Sequence, residues 1–128
     1  MDIKKLTDKA YEAMKYAYAP YSDFHVGAAL LCSDGAIYTG CNIENASYGS
    51  TNCAERTAIF KAVSEGKREF DAIAIISDSE TFTAPCGICR QVMAEFCKPD
   101  FQILMCNCKK EYQTTSLREL LPFAFSLL

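Results

Sequence analysis

Four residues of this 128-residue chain combine types and spacings that suit chemistry. Cys86 and Cys89 stand at i, i+3 in "APCGICRQV", directly after Pro85, and "NCAERTA" carries Cys53 with Glu55 two positions on. Thiolates bind soft metal ions and are also redox nucleophiles. A C-x-x-C pair alone therefore reads as half of a metal site, a redox dithiol, part of a disulfide framework or two structural thiols. Glu55 has an equally local reading, because Asn52 as N-cap with Glu55 at N3 has capping-box spacing.

The elements that must position these residues follow from periodicity. Ile3, Leu6, Ala10, Met14 and Ala17 form a helical apolar stripe, closed by Pro20. Phe24 to Cys32, with His25 inside it, reads as a strand. Ser33 to Gly35 is a hairpin turn, Ala36 to Cys41 the return strand, and Asn42 to Thr51 a polar loop. A helix from Asn52 to Glu65 precedes the apolar run Asp71 to Ser77, which suits a central strand buried on both faces. Cys86 to Cys97 reads as a third helix and Phe101 to Cys106 as a strand. The four residues Asn107 to Lys110 are too few for a parallel crossover, so Glu111 to Thr115 returns antiparallel. "SLRE" opens a short last helix with capping-box spacing. The order α-β-β-α-β-α-β-β-α predicts an α/β fold, a three-layer α/β/α sandwich on a five-stranded mixed sheet, with residues 1–128 as one domain.

This arrangement changes the reading of the cysteines. Cys86 and Cys89 share a face in the first turn of a helix, where backbone N–H groups and the helix dipole lower thiol pKa. The second and third helices, separated by one buried strand, should start on the same edge of the sheet. Cys53, Cys86 and Cys89 can then converge on one zinc ion. Three protein ligands leave a fourth position for water, as in catalytic sites, and Glu55 stands beside it in reach for proton transfer.

Composition bounds the alternatives. Half of the residues are apolar and the net charge is −3, which fits a globular chain and disfavours nucleic-acid or anionic-membrane partners. No apolar run approaches the roughly 20 residues that span a bilayer, and the N-terminus does not read as a signal peptide, so a cytoplasmic protein is expected. Eight cysteines without an export signal read as reduced thiols rather than disulfides.

The pattern Cys-Ala-Glu followed some thirty residues on by Pro-Cys-x-x-Cys resembles the zinc-dependent cytidine deaminases. "YAPYSDFHVGAAL", "GCNIENASYG" and "ELLPFAF" extend the resemblance over nearly the whole chain, toward the small homotetrameric members of nucleoside salvage. The resemblance implies one Zn²⁺ per chain on Cys53, Cys86 and Cys89, with water as fourth ligand and Arg56 hydrogen-bonding the thiolates. It implies that Glu55 takes a proton from the water, delivers one to N3 of the pyrimidine, and later protonates the departing amine. Asn42 and Glu44, two apart in an extended segment, would take the ribose hydroxyls, Phe24 would pack on the base, and the Ala54 backbone would hold the base edge. Tyr48 and Phe125 resemble residues supplied across subunit interfaces, although Phe123 in "PFAFSLL" departs from the family's small residue. Arg90 reads as a solvated arginine at least as readily as a partner of the thiolates. His25 and the thiols of Cys32, Cys41, Cys97, Cys106 and Cys108 read as structural.

The expected reaction is hydrolysis of cytidine and 2′-deoxycytidine to uridine and 2′-deoxyuridine with release of ammonia. The partner would be a small-molecule nucleoside, not nucleic acid or membrane, at sites shared within a homotetramer. Two competitors remain at this level. One is a deaminase of another aminopyrimidine nucleoside, such as a nucleoside antibiotic. The other is a structural zinc module in which Cys106 or Cys108 closes the metal shell.

Overall fold

The computed structural model describes residues 1–128. Helix α1 (Ile3–Met14) is capped by Asp2, whose carboxylate accepts from the Lys5 N–H at 3.0 Å, and it buries Leu6, Thr7, Ala10 and Ala13. The apolar stripe predicted a helix reaching Ala17, but α1 ends at Met14. Residues 15–17 continue as a tighter turn, donating to the Glu12, Ala13 and Met14 carbonyls, and Tyr18 then leaves for the polar loop, its N–H donating to the Asn42 carbonyl and its carbonyl accepting from the Glu44 N–H.

Strands β1 (Val26–Cys32) and β2 (Ile37–Cys41) form the expected hairpin, with Gly35 at φ +94° in its turn. Then follow α2 (Ala54–Ser64), β3 (Phe70–Ser77), α3 (Gly87–Phe96), β4 (Gln102–Cys106), β5 (Tyr112–Ser116) and the one-turn helix α4 (Leu117–Leu120). A single 3₁₀ turn, Tyr48–Ser50, breaks the loop between β2 and α2. Ser116 caps α4 by accepting from the Glu119 N–H, and its hydroxyl donates to the Glu119 carboxylate, so the predicted cap forms without the reciprocal bond from the Ser116 N–H that a capping box would add.

The sheet order is β2-β1-β3-β4-β5. β1 is antiparallel to both β2 and β3, β3 is parallel to β4, and β5 returns antiparallel. Two reversals cancel, so β2 and β3 run in the same direction and end on the same edge of the sheet. The helices that follow them, α2 and α3, therefore begin on one edge. The topology puts the two cysteine-bearing helix starts together before any side chain is considered.

The two faces of the sheet carry different side chains. Toward α1 they mix small and large, with Ala29, Ala72 and Ala74 beside Ile76 and Leu104, against Leu6 and Ala10. Toward α2, α3 and α4 they are larger, with Leu30, Ile73, Ile75 and Ile103 against Ile59 and Met93. These faces and their helices make the α/β/α layers. Gly40 of β2 sets the height of α2, since a Cβ there would lie 2.5 Å from the Ala54 carbonyl oxygen and 2.5 Å from the Ala58 nitrogen. No helix is long and apolar enough to cross a membrane.

Candidate active site

Cys53 is the N-cap of α2 and Cys86 the N-cap of α3. Their sulfurs stand 3.6 Å apart, and with Cys89, one turn into α3, the three sulfurs all lie within 4.8 Å of one another. A tetrahedral shell with Zn–S bonds of about 2.3 Å separates its sulfurs by about 3.8 Å. The cluster thus has the size and donor chemistry of a three-thiolate zinc site.

The charges point the same way. A hydrogen bond from Cys89 and another from Arg56 bring the Cys53 thiol down to about 5, against its burial, while the Cys89 thiol is pushed up by sharing that bond with Cys53 and by burial. Three sulfurs this close cannot all ionise without a cation among them. Arg56 supplies part of that charge, its Nη2 donating to Cys53 Sγ at 3.3 Å, and its Nε is buried with no protein acceptor. A guanidinium in the first turn of a helix opposes the helix dipole, so the thiolate contact explains its place there.

Glu55, in the first turn of α2, is only 4% exposed. Burial pushes its carboxyl up to about 7, partly offset by its own backbone N–H. A carboxyl titrating near neutrality can take up and release a proton without a large penalty either way. The capping box proposed from spacing does not form. The Asn52 N–H donates instead to the Ile43 carbonyl, its side-chain amide donates to Thr57 Oγ1, and Cys53 takes the cap position. Asn52 is thereby used to tie the loop down, and the Glu55 carboxyl is left to the cavity. Thr57 fastens the same turn to the sheet, donating to the Cys41 and Cys53 carbonyls at 3.0 and 3.1 Å.

A cavity of about 320 Å³ opens on this group, lined by Glu55, Cys53, Cys86 and Ala54 together with Phe24, Asn42 and Glu44. Asn42 is buried, and its amide brackets the entry to β1, with Oδ1 accepting from the Val26 N–H at 2.9 Å and Nδ2 donating to the Phe24 carbonyl at 2.7 Å. Glu44 Oε1 accepts from the backbone N–H groups of Tyr21 and Ser22 at 3.0 and 3.1 Å. Phe24 is 41% exposed and precedes β1 rather than lying within it. A second hollow of about 360 Å³ shares Ser22, Glu44 and Thr51 with the first and adds Tyr48.

Other expectations divide. His25 also precedes the strand, held by Asp78, whose carboxylate accepts from its backbone N–H and sits 2.9 Å from Nδ1. Arg90 is half-buried and engaged by the backbone. It donates from Nε to the Pro85 carbonyl and from Nη1 to the Leu120 carbonyl, both at 2.9 Å, clamping the approach to Cys86 against α4. Cys106 cannot close a metal shell, since it is buried on the α1 side of the sheet, and Cys108 is not among the clustered sulfurs. Burial pushes the Cys97 thiol up to about 12 and that of Cys106 to about 11, so both stay protonated and inert. Phe125 lines neither hollow of its own chain and is 68% exposed, its carbonyl held by Gln91. Ser22 and Thr83, which the sequence reading passed over, line the cavity. The one signal for Ser22 was its place inside "YAPYSDFHVGAAL".

A sequence profile of the cytidine and deoxycytidylate deaminase zinc-binding region matches residues 1–105. The cytidine deaminase of Sporosarcina psychrophila is 54% identical over 126 residues, spanning 98% of this chain and 93% of that protein. That of Halalkalibacterium halodurans is 53% identical over 126 residues, spanning 98% and 96%. In three dimensions the chain is similar to the crystal structure of cytidine deaminase from Burkholderia pseudomallei, with a TM-score of 0.94 and 50% identity, covering 98% of this chain and 100% of that one.

Proposed function

The chain belongs to the cytidine and deoxycytidylate deaminase family, and from that premise we propose how its site works and assembles. The protein is a zinc-dependent hydrolase that converts cytidine and 2′-deoxycytidine, with water, to uridine and 2′-deoxyuridine plus ammonia. It takes one zinc per chain. The observation that carries this reading is the convergence of three sulfurs within 4.8 Å with a buried carboxyl beside them at one cavity.

Cys53, Cys86 and Cys89 would hold the zinc, which when bound supplies a Lewis acid that makes water a nucleophile near neutral pH. Arg56 balances the thiolate charge. Glu55 moves the protons. Its carboxylate accepts one from the attacking water and passes it to N3 of the pyrimidine as the C4–O bond forms. It then carries the second water proton to the exocyclic amine as the C4–N bond breaks, so ammonia leaves and the carboxylate is restored. Burial of Glu55 suits both halves of this cycle, since neither its acid nor its base form is strongly preferred. Phe24 packs on the base, the Ala54 backbone holds the base edge, and Asn42 and Glu44 meet the sugar hydroxyls. A carboxylate at the sugar would repel a nearby 5′-phosphate, which favours nucleosides over nucleotides.

The whole chain works as one domain, in the cytoplasm and in pyrimidine salvage, as a homotetramer whose sites are completed by Tyr48 and Phe125 of neighbouring copies. The exposure of these two aromatics, 83% and 68%, supports this, because large apolar side chains left open on one chain suit burial against another. Sedimentation at working concentrations should give a tetramer, and a fully active monomer would end the shared-site reading. The activity itself is tested by ammonia release from cytidine, 2′-deoxycytidine, cytosine and CMP, with zinc quantified on the same sample. Turnover of the two nucleosides at one zinc per chain is expected, and zinc-loaded protein that releases no ammonia from either would overturn it.

A further inference from the structure

Ser22 lies in the segment between α1 and β1 and lines both hollows together with Glu44. Its Oγ donates to Glu44 Oε2 and accepts from the Phe24 N–H at 3.0 Å. An ionised carboxylate is only an acceptor, so the serine proton is committed to Glu44 and an oxygen lone pair to the Phe24 amide. The result is a relay, Phe24 N–H to Ser22 O–H to carboxylate, in which each bond strengthens the next.

We propose that Ser22 is a positioning residue that locks the sugar-facing carboxylate of Glu44 and the base-facing Phe24 into one unit, so that both ends of the nucleoside are registered together. This rests on the sugar role proposed above for Glu44. A carboxylate offers about four acceptor sites. Tyr21 N–H, Ser22 N–H and Ser22 O–H take three of them, which leaves one, on Oε2, for a substrate hydroxyl. The carboxylate can neither rotate nor retreat without breaking those bonds. The same contacts favour its ionised form, since the Ser22 hydroxyl and the two amides hold its pKa below the usual range. Nothing in the arrangement touches the sulfur cluster, so the contribution belongs to substrate registration rather than to metal binding or proton transfer.

The experiment compares Ser22→Ala, Ser22→Thr, Glu44→Gln and the Ser22→Ala/Glu44→Gln pair in the zinc-loaded enzyme. KM and kcat are measured for cytidine, with zinc content and melting temperature on each sample. Ser22→Ala should raise KM about tenfold with kcat within about threefold, the pattern of lost binding shared by ground and transition states. Zinc and melting temperature should stay at the parent values. Ser22→Thr, which keeps a hydroxyl, should recover KM to within about threefold. The double variant should fall well short of the combined single effects, because the serine and the carboxylate act as one unit. Ser22→Ala with unchanged KM, a Thr variant as impaired as the Ala variant, or additive effects in the pair would each overturn the proposal. Glu44→Gln with unchanged KM would instead overturn the sugar role of Glu44 and the premise with it.

Discussion

Replacing Gly40 with alanine tests whether β2 sets the position of α2. An alanine Cβ would stand 2.5 Å from the Ala54 carbonyl oxygen, 2.5 Å from the Ala58 nitrogen and 2.9 Å from Thr57 Cβ. Two of these neighbours are helix backbone and cannot turn aside as a side chain would. Carbon contacts settle at about 3.5 Å, so the first turn of α2 must back off by roughly 1 Å. Overpacking of this kind costs about 1–3 kcal/mol. With an unfolding entropy of about 2.1 cal/mol/K per residue, that corresponds to a fall of about 4–11 °C in Tm for a chain of this length. The displaced turn carries Cys53 and Glu55, and a shift of about 1 Å at reacting groups costs on the order of a hundredfold in rate. Calorimetry and steady-state kinetics on the same preparation should therefore show both losses together. A variant with parent Tm and parent kcat would refute the claim that strand-to-helix contact at Gly40 fixes the site.

Further outcomes follow from the same geometry. Glu55→Gln keeps the shape of a nearly buried side chain but cannot exchange protons, so kcat should fall about 10³–10⁴-fold while atomic absorption still finds one zinc per chain. Arg56→Met removes the donor to Cys53 Sγ, and chelator competition should then show zinc held about 10–100-fold more weakly. Ser116→Ala removes the cap of α4, at a cost of about 1 kcal/mol, and should lower Tm by about 4 °C with kcat nearly unchanged.

Much of the architecture was legible because it rests on strong local signals. Apolar runs located β1, β3 and β4, the turn at Ser33 to Gly35 placed β2, and the short connection at Asn107 to Lys110 dictated the antiparallel return of β5. The convergence of Cys53 with Cys86 followed from the strand–helix order, and the sheet order realises it. What spacing could not settle was competition for one donor. Asn52 and Glu55 fit a capping box on paper, but the Asn52 N–H is already engaged by Ile43 across the loop, and this pairing arises only in three dimensions. The early end of α1 has the same origin, since Tyr18 bonds to the backbone of Asn42 and Glu44. Arg90 looked free because its acceptors, the Pro85 and Leu120 carbonyls, are backbone groups that no residue type advertises. Ser22 escaped notice for a related reason. A serine becomes informative only when the carboxylate twenty-two positions away is seen to rest on it.

The sulfur cluster also bears on how the protein stays folded. Helices α2 and α3 touch each other little, yet Cys53 and Cys86 are 33 residues apart in sequence and adjacent in space. An ion gripping both closes a long chain loop, as a disulfide would. In the chain-entropy picture a closure of that length removes about 4 kcal/mol of freedom from the unfolded state. The linkage needs thiols that stay reduced, so it can operate where a disulfide cannot persist. Metal loading is then a condition of cohesion as well as of turnover. A chain that loses its ion loses a staple between two helices of one layer, and its lifetime should follow the supply of zinc rather than the supply of substrate.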